Sequence, residues 1–410
     1  MSQQGPIIVV SHAGRSPLAS ALGEAKLFPV IDATWADASR AVAQLQPAAV
    51  LVAMSQAPKT GFEMLAKEIA ASKPYLPLIA VEPTASLPEN AIPFSPTDTT
   101  CDRLIARLRA ALRIRTLHAT VMRRLADEPV VGAKLPDPNP ARDATVLLIG
   151  RGAAYPALSV ALGERIGVVG ALSIEAAAKH LNVRDIDGIV LAEGFSPRVM
   201  DAFLTVLSED ARFRSLPIVV TSDGLAPAYE LSNLEIISGD PERIAANALP
   251  LIRQHAFEAH LSRTLRSIDA GGLLDPRTGL LTSAAFQRDF ATALDEALSR
   301  GGGLSVARFT FDPPGERALL DGARILSRLM RQMDFGAVQE DGSILVAFIE
   351  TDLRTAHMIA RRVSSVMRHT SNGSRDTRSA PEVTLATLMP TDTMKSLLGR
   401  LYDERRRAAS

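Results

Sequence analysis

Short, continuous apolar runs alternate with longer mixed segments along the chain, and two stretches do so on nearly one spacing. The first carries PIIVV (6–10), AAVLVAM (48–54) and LPLIAV (76–81), then a helical pattern around DRLIARLRAAL (102–112). The second carries TVLLIG (145–150), GIVLAE (188–193), LPIVVTS (216–222) and PERIAANAL (241–249). Ile7 to Val50 spans 43 positions, as does Val146 to Ile189, and Val50 to Leu78 spans 28 against 29 from Ile189 to Ile218. Short apolar runs without alternation are what strands buried on both faces require, and such strands belong to parallel sheets. The segments between them are long enough for crossover helices. The pattern predicts two five-stranded, doubly wound α/β units on one plan.

Between the units, RRLADEPVVGAKLPDPNPARD (123–143) reads as a linker, its four prolines and polar ends disfavouring regular structure. After the second unit the helical stretch RQHAFEAHLSRTLRSID (253–269) leads to Gly271-Gly272. A third unit follows: DPRTGLL (275–281), a helix over 283–300, the strand LSVARFTFD (304–312) and a helix over 316–333. That last helix carries Leu319, Ala323, Leu326, Met330 and Met333 on one stripe. RQMDFGAVQEDGSILVAF (331–348) is a helix end and a tight hairpin; a helix over 353–369, a polar loop (370–382) and the strand VTLATLM (383–389) complete the unit.

Composition narrows the function classes. The 45 basic and 45 acidic residues balance, which gives no general attraction to nucleic acid or an anionic membrane. Cys101, the single cysteine, excludes an internal disulfide framework and fits a reducing compartment. No apolar run is long enough to span a bilayer and MSQQGPIIVV lacks the features of a signal peptide, so the expectation is a cytoplasmic protein. The seven histidines show no metal-ligand spacing, and no metal or cofactor is expected. Gly150-Arg151-Gly152 lacks the third glycine of a dinucleotide fingerprint and reads as turn chemistry.

The two repeats resemble receiver domains of bacterial two-component regulators. That family phosphorylates an aspartate after its third strand, beside Mg²⁺ held by an acidic pair after strand one. Here the first repeat has Ser11-His12 for the acidic pair, Ala53-Met54-Ser55 at the phosphoacceptor, Glu82 near the expected hydroxyl and Ser95 for the lysine before Pro96. The second has Gly150-Arg151 for the pair and retains Thr221, and Glu193 falls where the aspartate would lie. Glu193 is either an imitation of a phosphorylated state or a solvated strand-end acid. The resemblance implies two pseudo-receivers, degenerate at Met54 and Glu193, that serve packing and dimerisation.

The third unit resembles the GGDEF domain of diguanylate cyclases, an α+β nucleotidyl-cyclase-like fold, with DPRTGLL as its opening. The whole chain is similar to the receiver–receiver–GGDEF family, the PleD and PopA group, and within it to PopA-like members with a degenerate GGDEF domain. The implied division is 1–122 pseudo-receiver, 123–142 linker, 143–255 pseudo-receiver, 256–271 connecting helix and 272–410 degenerate GGDEF domain. The signature hairpin reads Glu340-Asp341-Gly342-Ser343-Ile344, with acids where the family has glycines and Gly342 and Ser343 where it has acids. Asp312 alone stands where a metal ligand could be, or is a plain strand-end acid. Phosphoryl transfer depends on positioned metal and charge, so the resemblance implies an inactive cyclase.

One family feature keeps its register. Arg331-Gln332-Met333-Asp334 stands five residues before the hairpin signature, as the family's inhibitory Arg-x-x-Asp does, and Arg362, with Arg361 beside it, matches the family's arginine on the next helix. A guanidinium fork suits guanine O6 and N7, and a carboxylate suits the guanine N–H edge. Arg331 also reads as a helix-end cation favoured by the macrodipole, with Arg324 and Arg328 as parts of the same solvated face. The resemblance implies a cyclic-di-GMP effector acting through a protein partner or adaptor, a homodimer, and a role in cell-cycle control and regulated proteolysis at the cell pole. It implies no DNA or membrane partner. The alternative is a nucleotide-independent dimeric scaffold of three degenerate signalling domains.

Overall fold

The computed structural model describes residues 5–12, 16–55, 57–83, 87–96, 101–127, 134–137, 140, 143–221, 229, 231–300, 302–312, 315–367 and 381–408. The loop 370–382 therefore lies almost wholly outside the described residues, as do parts of the linker. The first unit runs β1 (Ile7–Ser11), α1 (Pro17–Glu24), β2 (Val30–Thr34), α2 (Ala38–Leu45), β3 (Ala49–Ala53), α3 (Lys59–Ala70), β4 (Leu78–Val81), β5 (Ala91–Phe94) and α4 (Asp102–Asp127). The second runs β6 (Thr145–Ile149), α5 (Tyr155–Gly163), β7 (Gly167–Ala171), α6 (Ile174–Val183), β8 (Gly188–Leu191), α7 (Pro197–Glu209), β9 (Ile218–Val220), β10 (Leu234–Ile236) and α8 (Pro241–Asp269).

Both sheets are parallel and five-stranded, in the orders β2-β1-β3-β4-β5 and β10-β9-β8-β6-β7, which are one order read from opposite edges. The spacings in the sequence are the pairing register itself: Val50 lies opposite Leu78, and Ile189 opposite Ile218. Every residue of β1, β4, β6 and β9 is buried, as the unbroken apolar runs require.

The third unit is α9 (Ser283–Arg300), β11 (Leu304–Thr310), α10 (Glu316–Leu329), β12 (Phe335–Val338), β13 (Ile344–Ile349), α11 (Leu353–Met367), β14 (Glu382–Thr387) and α12 (Met394–Ala408). Its sheet is antiparallel, in the order β12-β13-β11-β14. The DPRTGLL segment folds on itself: Asp275 Oδ1 accepts from the Arg277 and Thr278 amides, and Gly279 takes a φ of +76°. Leu281 then donates its amide to Gly336 O and covers the open edge of β12. Gly336 must be glycine, because a Cβ there would stand 2.7 Å from Leu345 O.

Several boundaries differ from the sequence pattern. Helix α4 continues past residue 122 to Asp127, and α8 passes unbroken through 255 and tolerates Pro250 inside it. Helix α10 stops at Leu329, so Met333 lies beyond the apolar stripe and is half exposed. Arg324 is buried and donates to Asp143 O at 2.8 Å, and Arg328, though exposed, reaches Asp185 of the second unit at 3.0 Å.

The first two units meet along α4, β5, α8 and β10. Arg107 of α4 is fully buried and donates to Pro93 O (2.8 Å), Ser232 O (2.8 Å) and Glu235 Oε1 (2.9 Å); Glu235 Oε2 accepts from the Ser95 amide. Burial pushes the Glu235 carboxyl up and the Arg107 guanidinium down, and the pair opposes both shifts. Removing one member of such a pair leaves an uncompensated charge in the interior. Glu235→Leu is therefore expected to cost about 3–5 kcal/mol, seen as a lowered urea midpoint. Arg40→Ala, which removes an exposed pair with Asp37, should cost under about 1 kcal/mol.

Candidate functional site

The end of α10, the open end of the β12–β13 hairpin and the start of α11 come together at one margin of the third sheet, and Arg331 and Asp334 lie there. Arg331 sits in the turn after α10, exposed, and its carbonyl accepts from the Asp334 amide at 3.0 Å. That turn places Asp334 at the mouth of β12, where Phe335 pairs with Ala347. Asp334 is only 7% exposed, and its Oδ1 accepts from the Ile349 amide at the far end of β13 (3.1 Å).

Burial raises the Asp334 carboxyl above the ordinary range, and the Ile349 amide and Arg331 pull the other way without cancelling it. A carboxyl raised on folding stabilises the fold below its unfolded pKa and loses that contribution as pH rises through the folded one. Burial thus disfavours the charged form of Asp334, whose Oδ1 takes the Ile349 amide. Perturbation of this kind is commonest where a group has work to do.

Arg361 and Arg362 lie on α11, both exposed, and among the described residues neither makes a hydrogen bond or ion pair. Nothing ties Arg362 to Asp334 directly. It is nine residues beyond Leu353, so it stands roughly 13 Å along the helix from the margin that holds Asp334. The structure brings Arg331 and Asp334 together and sets the two α11 arginines apart from them along the neighbouring helix.

The hairpin tip is occupied by its own contacts. The Gly342 amide donates to Gln339 O (3.1 Å), the Gln339 amide to Ser343 O (2.8 Å), and Gly342 takes a φ of +75°. Asp341 Oδ1 accepts from the Ser343 amide (3.0 Å) and hydroxyl (2.6 Å), and Asp341 Oδ2 from Arg308 Nη2 (2.7 Å). Arg308 Nε also donates to the Ser343 hydroxyl (3.2 Å), and its guanidinium lies over the Tyr402 ring at 4.3 Å. Burial would raise the Asp341 carboxyl, yet the Ser343 and Arg308 hydrogen bonds outweigh it and hold the group low. Glu340 is exposed, and Ile344 is buried in the core beneath the turn. Arg308 had gone unread: one arginine inside the run LSVARFTF is the only signal it leaves.

Met54 and Glu193, the two positions singled out by the resemblance in the first two units, also make structural contacts. Met54 is half-buried and packs on the first unit's core, with its amide donating to Val81 O (3.0 Å). The Glu193 carbonyl accepts from the Arg151 and Gly152 amides (3.1 Å each), and its side chain is exposed. Arg151 donates to Gly194 O (3.0 Å) and lies over Phe195 at 5.0 Å, so a guanidinium stands beside the loop where the receiver family has its acidic pair. Asp312 is exposed at the end of β11. Among the described residues no group of three or more His, Cys, Asp or Glu side chains could hold a metal ion, and no helix is long and apolar enough to cross a membrane.

No protein-family model matches the chain, and no curated protein matches it. Solved structures similar to about a third of it are GGDEF domains. The coiled coil and GGDEF domain of DgcB from Caulobacter crescentus, in complex with c-di-GMP, is 17% identical, covers 36% of this chain and 87% of its own, and has a TM-score of 0.30. The FimX GGDEF domain from Pseudomonas aeruginosa is 17% identical over 33% of this chain and 93% of its own, with a TM-score of 0.29. A sensory box/GGDEF family protein from Caulobacter crescentus CB15 is 20% identical over 34% and 99%, with a TM-score of 0.28. Likenesses this distant do not establish a family for the chain, and its chemistry rests on its own residues.

Asp334→Asn tests the site directly. The amide Oδ1 can still accept from the Ile349 amide, while the buried charge is gone. The thermal midpoint of this variant at neutral pH is expected to equal or exceed that of the wild type. The gap should close as pH falls through the raised Asp334 pKa, read by melting curves between about pH 4 and 8. A clear loss of stability at neutral pH would make Asp334 a structural carboxylate.

Proposed function

We propose that this protein is a non-catalytic cyclic-di-GMP effector that binds the dinucleotide at Arg331 and Asp334, with Arg362 and Arg361 as the further cations. One observation carries the reading: a buried carboxylate, Asp334, stands in one turn with an exposed arginine, Arg331, that makes no ion pair among the described residues. Guanine fits both halves. Its O6 and N7 accept from a guanidinium fork, and its N1–H and N2–H₂ donate to a carboxylate. The spacing of Arg362 along α11 favours a ligand with a second base or phosphate over a single nucleoside.

In this reading residues 1–122 and 143–255 are pseudo-receivers, 123–142 and 256–271 connect, and 272–410 is a degenerate GGDEF domain. The engagement of Asp341 by Arg308 and Ser343 supports a hairpin given over to structure, with no cyclase activity. The effector would signal through a protein partner or adaptor, as a homodimer, in the cytoplasm and at the cell pole, where the family resemblance implies cell-cycle control and regulated proteolysis. The scaffold reading keeps the same architecture and needs no nucleotide.

Calorimetric titration of the full chain separates the two. Cyclic-di-GMP is expected to bind, Arg331→Gly to bind it about ten to a hundred times more weakly, and GTP with Mg²⁺ to give no product. Binding should also strengthen as pH rises through the raised Asp334 pKa, because only the ionised carboxyl accepts from guanine. A wild-type protein that gives no binding heat with cyclic-di-GMP leaves the scaffold reading standing.

A further inference from the structure

A second cleft, of about 320 Å³, opens where the second unit, α8 and the end of α10 meet. Its walls are the segment after α6, the segment after α7, one face of α8 and Arg328. Five arginines line it against two aspartates, Asp185 and Asp187. Three of the five already have carboxylate partners: Arg184 with Asp321, Arg212 with Asp210 and Arg328 with Asp185.

Two are left over. Arg263 keeps only 9% of its side chain exposed, and its Nε donates to Pro276 O at 2.9 Å. Its Nη1 stands 3.9 Å from Asp185 Oδ2, a long ion pair to a carboxylate whose other oxygen is held by Arg328. Arg266, one turn further along α8, is exposed and makes no side-chain hydrogen bond or ion pair among the described residues. The cleft also receives His255, whose buried Nδ1 has no hydrogen-bond partner and stands 3.6 Å from Asp187 Oδ1. Asp187 spends its other oxygen on the Thr145 amide (2.9 Å).

A guanidinium this far out of water is normally paired with an anion, because the interior does not tolerate an uncompensated charge. Desolvation and the neighbouring Arg324 push Arg263 down to about 10, and the aspartates around it do not restore it. The lining, the volume and a carboxylate shared between two guanidinium groups agree. We propose that this cleft binds a phosphoryl anion, either free pyrophosphate or the phosphate end of a nucleotide, gripped by Arg263 and Arg266 with His255 as a third donor. Guanidinium forks suit phosphate oxygens in bidentate geometry, and charge-assisted bonds are the strong ones. Because Arg263 also holds Pro276 of the DPRTGLL turn, a bound anion would tie the second unit, α8 and the third unit at one point.

This site is separate from Arg331 and Asp334 and does not depend on their role. The test is calorimetric titration of the full chain with pyrophosphate, GMP and cyclic-di-GMP in turn. Pyrophosphate is expected to bind saturably. Its affinity should fall at least about tenfold in Arg266→Glu, an exposed change that leaves the fold intact, and stay unchanged in Arg331→Gly. Arg263→Lys, which keeps the charge but not the fork, should weaken binding as well. GMP binding that exceeds pyrophosphate binding and is lost in Arg266→Glu identifies the anion as nucleotide-borne; the reverse ranking identifies a free anion. Equal pyrophosphate affinity in wild type and Arg266→Glu overturns the proposal. So does displacement of pyrophosphate by cyclic-di-GMP that disappears in Arg331→Gly.

Discussion

A guanidinium removed from water brings five N–H donors and a full charge with it, and the places where this chain meets that demand decide how its three sheets sit together. Arg107 satisfies it with three carbonyls, Ser232, Pro93 and Leu234, and with Glu235, joining the first sheet to the second. Arg184 meets part of it with Asp321 and Val366 O, joining the second unit to the third, while its Nε is left without a hydrogen bond. Asp143, at the end of the linker, is reached by Arg277 and holds Arg324 through its carbonyl. The apolar cores could be packed in other relative orientations, but fixed forks pointing at fixed acceptors cannot. The faces built from α4 with β5 and from α8 with β10 are spent inside one chain. A second copy would have to meet this one elsewhere.

What the amino-acid pattern made legible follows from what patterns encode. Strand spacing is a property of neighbouring residues and buried faces, so the intervals between Val50 and Leu78 and between Ile189 and Ile218 survived as the pairing register. Helix ends were less legible. Pro250 looks like a break, yet α8 passes through it because the surrounding packing outweighs one missing hydrogen bond. Arg324 and Arg328 have the spacing of a solvated face, and only the placement of the second unit turns them into interface residues. Burial of Asp334 was equally hidden, since it depends on the strand returning to place Ile349 beside it. Register against the hairpin located the candidate residue. Its electrostatics came from the fold.

Positions that a resemblance would assign to chemistry are filled by contacts of another kind. Arg151 spans to Gly194 and Phe195, Ser95 gives its amide to Glu235, and Met54 joins an apolar core. None of these is a gap. Each contact ties its residue to a neighbour, so a change at any of these positions would leave that neighbour without its partner.

The hairpin shows where that leads. Arg308 is nearly buried, and Asp341 is its only carboxylate partner among the described residues. Rewriting residues 340–344 as two glycines followed by two acids would remove that partner at one position and offer new acids at others. The arginine would claim them before any cation could, and a carboxylate neutralised by a guanidinium is a poor metal ligand. The tip is thus constrained from below: what can be written at residues 340–344 depends on an arginine of the neighbouring strand, and the two can change only together.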